Sequence, residues 1–232
     1  MAREVIRGEN LTKNYKLGES IIHALRGVSL RINASEFLSI MGPSGSGKTT
    51  LLNLLGALDL PTSGKVFFDG ADLTQVPERK LYEVRRNKVG FVFQHFYLIP
   101  TLTTIENVFV PVIPIRNNTR FKNRAKELLS TVGLEERMNH KPNQLSGGEQ
   151  QRVAICRALI NNPKVLFCDE ITGELDSATG EKIIGLLKEI NQIEGVTVVF
   201  VTHDPTVSSK SNRIITLRDG KITSDKKSSS NP

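Results

Sequence analysis

The 232-residue chain reads as an α/β fold: a mainly parallel sheet between helices, an antiparallel β subdomain at the N-terminus and an α-helical subdomain inserted in the middle. Three observations predict this. "KVLFCDE" (164–170) and "VTVVFVTHD" (196–204) are unbroken apolar runs that stop abruptly at polar residues. Such runs mark strands buried on both faces of a parallel sheet. The first forty residues instead alternate apolar and polar with period 2, the pattern of a partly exposed sheet. Residues 100–145 lose that alternation and turn helical after the proline-containing "IENVFVPVIPIRNN".

In chain order, "EVIRGENLTKNY", "HALRGVSLRI" and "EFLSIMG" read as strands. From Lys48 the pattern becomes helical: Leu51, Leu52, Leu54, Leu55 and Leu58 form one stripe that ends near "DLPTSG". "GKVFFDG" and "VGFVFQ" return to strand, with a polar helical piece between them. A further helix is expected over about 120–132. "VAICRALI" (153–160) is the body of another helix. The expected organisation is a single domain over 4–222, with core segments 4–95 and 159–222 and the helical subdomain at 96–158. The polar tail 223–232, "TSDKKSSSNP", is expected to be disordered.

Composition excludes several classes. Hydrophobic residues make up 38% and charged residues 24%, ordinary values for a globular chain of this length. No apolar run approaches the roughly 20 residues that cross a bilayer, and "MAREVIRGEN" lacks a signal-peptide core. A membrane role therefore needs a partner. Cys156 and Cys168 lie in apolar runs and read as small core residues. The net charge of +7 includes a local cluster at Arg116, Arg120, Lys122, Arg124 and Lys126. That cluster fits a solvated helix face, or a surface near anionic lipid headgroups or nucleic acid, and composition does not separate them.

In parallel sheets, ligands sit beyond the carboxyl ends of the strands. Gly42, Asp169, Glu170 and His203 all directly follow apolar strands. "GPSGSGKT" (42–49) matches G-x-x-x-x-G-K-[ST] in full, after a strand and before a helix. Its glycines let backbone N–H groups wrap phosphate oxygens without Cβ clashes. The motif marks a P-loop NTPase core. Lys48 would reach the β- and γ-phosphates and Thr49 would ligate Mg²⁺. Asp169 is placed for the Mg²⁺ shell, and Glu170 for the general base that orients a water.

A second anion cradle lies about a hundred residues downstream, in "NQLSGGEQQR" (143–152). Ser146 and Glu149 have the spacing of a capping box. Gly147 and Gly148 follow the cap, although each glycine costs roughly 1 kcal/mol against alanine in a helix. That cost points to close backbone approach to a ligand.

"GPSGSGKT", "LSGGEQQR", "VLFCDE" and "VTHD", in this order, resemble the ATP-binding subunit of an ABC transporter over essentially residues 4–222. The resemblance implies a homodimer packed head to tail, with each ATP sandwiched between the P-loop of one chain and the signature segment of the other. It implies ATP and Mg²⁺ as cofactors. The nucleotide-binding set is then Gly42, Pro43, Ser44, Gly45, Ser46, Gly47, Lys48, Thr49 and Thr50, with Ser146, Gly147, Gly148 and Glu149 acting across the dimer. Tyr15 matches the aromatic that stacks on adenine, and Asp176 in "GELD" the aspartate that crosses the interface. Gln94 matches a glutamine that touches Mg²⁺ or the attacking water, and His203 the histidine that contacts the γ-phosphate. Glu170, His203 and Gln94 form the catalytic set; Thr49, Gln94 and Asp169 form the metal set.

"MGPSGSGKTTLLNLLGALDLPTSG", "VGFVFQHFYLIPTLTTIENVFVP" and "HKPNQLSGGEQQRVAICRALINNP" resemble the lipoprotein-release and macrolide-export branch. This implies a separate transmembrane permease subunit, a place on the cytoplasmic face of the membrane, and no nucleic-acid partner. The cell-division relative of that branch is an alternative, as is a soluble ABC ATPase acting on nucleic acid. Two positions depart from the family pattern. Ile171 follows Glu170 where proline is usual, and Ser35-Glu36 replaces a Gly-Glu turn. Neither departure is expected to abolish activity.

Overall fold

The computed structural model describes residues 3–115 and 119–227. Strands β1 (Glu4–Leu17) and β2 (Ser20–Asn33) form a long antiparallel hairpin, longer than the alternating runs suggested. It turns at Gly18, whose φ of 60° suits glycine. β1 also pairs with β4 (Ser63–Phe68), which pairs with β5 (Ala71–Asp72). This gives an antiparallel sheet in the order β2-β1-β4-β5.

The central sheet is six-stranded, in the order β10-β9-β3-β8-β7-β6. Its members are β3 (Phe37–Met41), β6 (Val89–Val92), β7 (Val165–Asp169), β8 (Thr197–Thr202), β9 (Arg213–Arg218) and β10 (Lys221–Lys227). All neighbouring pairs are parallel except β10 with β9. Successive residues of a strand face opposite sides, and here they enter two different cores. Val165 and Phe167 join Leu38, Ile40, Val199 and Val201 in a core shared with the antiparallel sheet and helix α1 (Lys48–Leu55). Leu166 and Cys168 join Val198 and Phe200 in a second core.

That second core is filled by α5 (Gly147–Leu159) and α6 (Ser177–Glu194), with contributions from α3 (Thr104–Phe109) and α4 (Thr119–Thr131). The inserted helices thus pack against a face of the central sheet. A polar helix, α2 (Glu78–Lys88), precedes β6, and a short α7 (Pro205–Ser208) follows β8. Cys156 and Cys168 are free and buried, and burial pushes both thiols up from their ordinary pKa.

The tail expectation needs correction. Residues 223–227 belong to β10, paired with β9, and only 228–232 lie outside the described residues. Polar side chains suit an edge strand that faces water. Arg213 holds this strand by donating to both oxygens of Asp225, Nε to Oδ1 and Nη2 to Oδ2, each at 2.7 Å. Of the basic cluster, Arg120 and Lys122 are exposed, whereas Arg124 donates to Glu194 at 2.6 Å; Arg116 lies outside the described residues. No helix among the described residues is long and apolar enough to cross a membrane.

Candidate nucleotide site

The phosphate-binding loop connects β3 to α1. Gly45 and Gly47 have φ of 76° and 98°. A Cβ on Gly47 would lie 2.4 Å from the carbonyl oxygen of Ala24, so only glycine lets the loop rest on β2. Gly42 is fixed in the same way: its Cβ would lie 2.1 Å from the Leu217 carbonyl oxygen and 2.7 Å from Ser46 Oγ. Among the described residues, the N–H groups of Gly45, Gly47, Lys48 and Thr49 find no acceptor, and buried Ser46 Oγ has no partner. Free donors at a helix N-terminus attract anions. Pro43 and Ser44 sit exposed on the loop, and Thr50 is half-buried in the first turn of α1.

Buried Lys48 points back over the loop. Its ammonium donates to the carbonyl oxygens of Gly42 at 2.9 Å and Pro43 at 3.0 Å. It also lies 3.6 Å from Glu170 Oε1. Thr49 Oγ1 donates to Asp169 Oδ1 at 2.9 Å, which joins the loop to the end of β7. Burial pushes the Asp169 carboxyl up from its ordinary pKa; the Thr49 hydroxyl opposes this, Glu170 adds to it, and Lys48 opposes it.

Glu170 follows β7 in a left-handed conformation, φ 46°. That backbone costs roughly 1–2 kcal/mol for a residue with a Cβ. It is held by two hydrogen bonds: Glu170 N–H donates to Val201 O at 3.2 Å, and Gly173 N–H donates to Glu170 O at 3.0 Å. Glu170 Oε2 then reaches to 3.4 Å from His203 Nδ1, which arrives from the end of β8. A small cavity of ≈ 230 Å³ lined by Glu170, Thr172, Gly173, Thr202, His203 and Asp204 opens beside them. Gln94, after β6, places its Nε2 3.0 Å from where a Cβ on Gly173 would be. Ile171, where the resemblance usually has proline, is buried in the helical core and anchors the loop that carries Glu170.

These residues converge on the carboxyl ends of β3, β6, β7 and β8. Among the described residues, no cluster of three or more His, Cys, Asp or Glu side chains could hold a metal alone. The oxygen donors present, Thr49, Asp169 and Gln94, suit Mg²⁺, which takes one or two carboxylates and completes its shell with water and substrate phosphates.

The signature residues stand apart. Ser146 caps α5 with a complete capping box: its N–H and Oγ donate to Glu149 Oε2 at 2.8 and 2.7 Å. Asp176 caps α6 by accepting from Thr179 N–H at 3.0 Å. Among the described residues, no hydrogen bond or ion pair joins Ser146, Gly147, Gly148, Glu149 or Asp176 to residues 42–50. The glycine pair also has an intramolecular reason: a Cβ on Gly148 would lie 2.6 Å from Thr179 Cγ2, and one on Gly147 3.3 Å from Leu175 Cδ2. Tyr15 sits near the tip of the β1–β2 hairpin, 38% exposed, across from Ile22.

Two supports escaped the sequence reading. Arg157, from α5, donates to the carbonyl oxygens of Tyr97 at 2.6 Å and Phe96 at 2.7 Å, just beyond Gln94. Gly220, in the β9–β10 turn, donates its N–H to Ser46 O at 3.1 Å and accepts from Arg26 N–H at 2.9 Å. Asp219 and Gly220, with φ of 48° and 74°, make the kind of turn that Asp-Gly pairs favour in hairpins, but nothing local in the sequence links that turn to the phosphate loop.

Comparisons with known proteins bear on the family and the fold. The profile of the ABC transporter family matches residues 25–173. An uncharacterized ABC transporter ATP-binding protein of Methanocaldococcus jannaschii is 53% identical over 228 residues, covering 96% of this chain and 97% of the relative. The macrolide export ATP-binding/permease protein MacB of Syntrophobacter fumaroxidans is 47% identical over 222 residues; the match covers 94% of this chain and 31% of that relative. A solved dimer of the M. jannaschii cassette, in a post-hydrolysis state bound to ADP and Pi, superposes with a TM-score of 0.86 at 51% identity, covering 96% of this chain and 98% of that one.

Proposed function

The chain belongs to the ABC transporter family, and from that premise we propose that it is an Mg²⁺-dependent ATP hydrolase that drives a membrane permease. The observation that carries this is the meeting of Lys48, Thr49, Asp169, Glu170 and His203 at the ends of three adjacent strands. The free N–H groups of the loop receive the β- and γ-phosphates. Lys48 leaves the carbonyls of Gly42 and Pro43 to join them. Thr49, Asp169 and Gln94 would hold Mg²⁺, which when bound neutralises charge on the transferring phosphoryl group. Glu170 orients the attacking water and takes its proton as the bond to ADP breaks. His203 holds Glu170 from one side and reaches the γ-phosphate from the other.

In this reading the signature segment serves a second copy. Ser146, Gly147, Gly148 and Glu149 of one chain close over the nucleotide held by the P-loop of its partner, and Asp176 lies at that interface. The separation of the two residue sets within one chain supports this arrangement, as does the dimeric, ADP-bound relative. In this reading the permease is a separate chain and the system is an exporter or mechanotransmitter worked from the cytoplasmic face of the membrane; what supports the export part is the MacB relatives, whose name joins macrolide export with an ATP-binding and a permease part. The test is phosphate release by the purified chain with and without Mg²⁺, then co-purification from native membranes in mild detergent. Mg²⁺-dependent turnover and a co-purifying integral membrane chain are expected. Recovery with nucleic acid alone would overturn the permease role and leave the ATPase standing.

A further inference from the structure

Tyr15 does not stand free at the hairpin tip. Its hydroxyl donates to Asp59 Oδ2 at 3.1 Å. The other oxygen of Asp59 accepts from the Lys13 ammonium and from Leu60 N–H, each at 2.7 Å. Lys13 also donates to Leu60 O at 2.8 Å, and its ammonium lies 5.1 Å from the Tyr15 ring centroid, over one face. Asp59 in turn is tied to α1: the N–H groups of Leu58 and Asp59 donate to Asn53 O at 2.9 and 3.3 Å. One short helix therefore starts at the phosphate loop and ends by fixing the tyrosine.

We propose that Asp59 is a positioning residue for the nucleotide base: by holding the Tyr15 hydroxyl and the Lys13 ammonium, it fixes one face of the ring and leaves the other face to stack a purine. The proposal rests on the reading of Tyr15 as the base platform. A cation on one face and a base on the other suits the ring's charge distribution. Stacking reads a π-face rather than base edges, so ATP and GTP depend on Asp59 alike. Inorganic tripolyphosphate, which has no base, does not depend on it.

The test is equilibrium binding of MgATP, MgGTP and Mg-tripolyphosphate to the full chain and to Tyr15→Phe, Asp59→Ala, their double variant and Tyr15→Ala. Melting curves check that each variant folds, and Tyr15→Phe removes only an exposed hydroxyl. Tyr15→Phe and Asp59→Ala are each expected to weaken both nucleotides about 3- to 10-fold. The double variant should lose no more than the larger single loss, and tripolyphosphate should bind unchanged throughout. Additive losses, or equal losses for tripolyphosphate, would overturn the positioning role. If Tyr15→Ala leaves nucleotide binding intact, Tyr15 is not the platform and the proposal falls with that reading. If Tyr15→Ala weakens nucleotides but Tyr15→Phe and Asp59→Ala do not, the platform stands and only the role of Asp59 is overturned.

Discussion

Glu170 Oε2 lies 3.4 Å from His203 Nδ1, while the other oxygen of the same carboxylate lies 3.6 Å from Lys48 Nζ. One side chain thus spans from the end of β8 to the phosphate loop. It does so because its backbone is left-handed, φ 46°, and is held there by Val201 and Gly173. An extended residue following β7 would continue along the strand, whereas the left-handed turn redirects the side chain.

Replacing Glu170 by Gln keeps the shape and removes the base. A positioned base contributes roughly 10²–10⁴ in rate, so turnover should fall by at least about a hundredfold while MgATP still binds. Because ATP is then bound without being consumed, size-exclusion chromatography with MgATP should show a stable dimer. Near-normal phosphate release would remove Glu170 from the catalytic role.

Division of labour between copies is open to a mixing experiment. Lys48→Ala disables the phosphate loop, and Ser146→Arg blocks the first turn of α5. Each homodimer should be inactive. A mixed dimer contains one site built from an intact Lys48 and an intact Ser146, so about half of the one-to-one mixture should regain a competent site. Complete inactivity of a mixture verified to contain heterodimer would argue that both residues serve the same nucleotide in one chain.

Ser35 illustrates two effects that nearly cancel. Its φ of 61° costs roughly 1–2 kcal/mol against glycine. Its N–H donates to Thr197 Oγ1 at 2.9 Å, and its Oγ donates to Gly195 O at 2.8 Å. Ser35→Gly keeps the first bond, relieves the strain and loses the second bond, worth about 0.5–1.5 kcal/mol net. The melting temperature should therefore move by only a few degrees in either direction, with unchanged ATPase. A marked loss of either would give the Ser35 hydroxyl a role beyond the turn.

What was legible follows from how local each signal is. The strand ends at Asp169 and His203 were readable because burial on both faces leaves an apolar run that stops sharply. The capping box at Ser146 and the loop at 42–49 are fixed by backbone geometry over a few residues. The hold of Arg157 on Phe96 and Tyr97, and that of Gly220 on Ser46, join positions far apart in the chain. No spacing rule reaches that far. Residues 223–227 read as disordered because an edge strand with one solvated face and a polar sequence has the composition of a disordered segment; their order comes from pairing with β9 and from Arg213, twelve residues before Asp225.

Gly220 tests the buttress behind the phosphate loop. Its φ is 74°, and a Cβ there would lie 2.8 Å from Ala24 O and 3.2 Å from Leu25 Cα, both on backbone that cannot swing away. Gly220→Ala therefore combines left-handed strain of roughly 1–2 kcal/mol with a shift of the turn away from Ser46. A lower melting temperature is expected together with a raised KM for MgATP. A stability loss with unchanged KM would show that the turn supports the sheet without setting the loop.

Asp225 tests how much the pair with Arg213 adds to the hold on β10. Its partner Arg213 holds the carboxyl below the usual aspartate pKa, against the opposing effect of partial burial. The folded carboxylate thus binds its proton less tightly than the unfolded one does. Its contribution is present above the unfolded value of about 3.9 and is lost as pH falls through the lower folded value. Asp225 is partly solvated, which limits the contribution to no more than about 1 kcal/mol. Asp225→Asn should lower the melting temperature by a few degrees at neutral pH. That gap should narrow as the buffer is taken down through the range of the unfolded carboxylate. A gap that stays constant with pH would mean that the lost contact is one of packing and not of charge. No gap at any pH would mean that the Arg213–Asp225 pair adds nothing measurable and that β10 is held by its ladder with β9 alone.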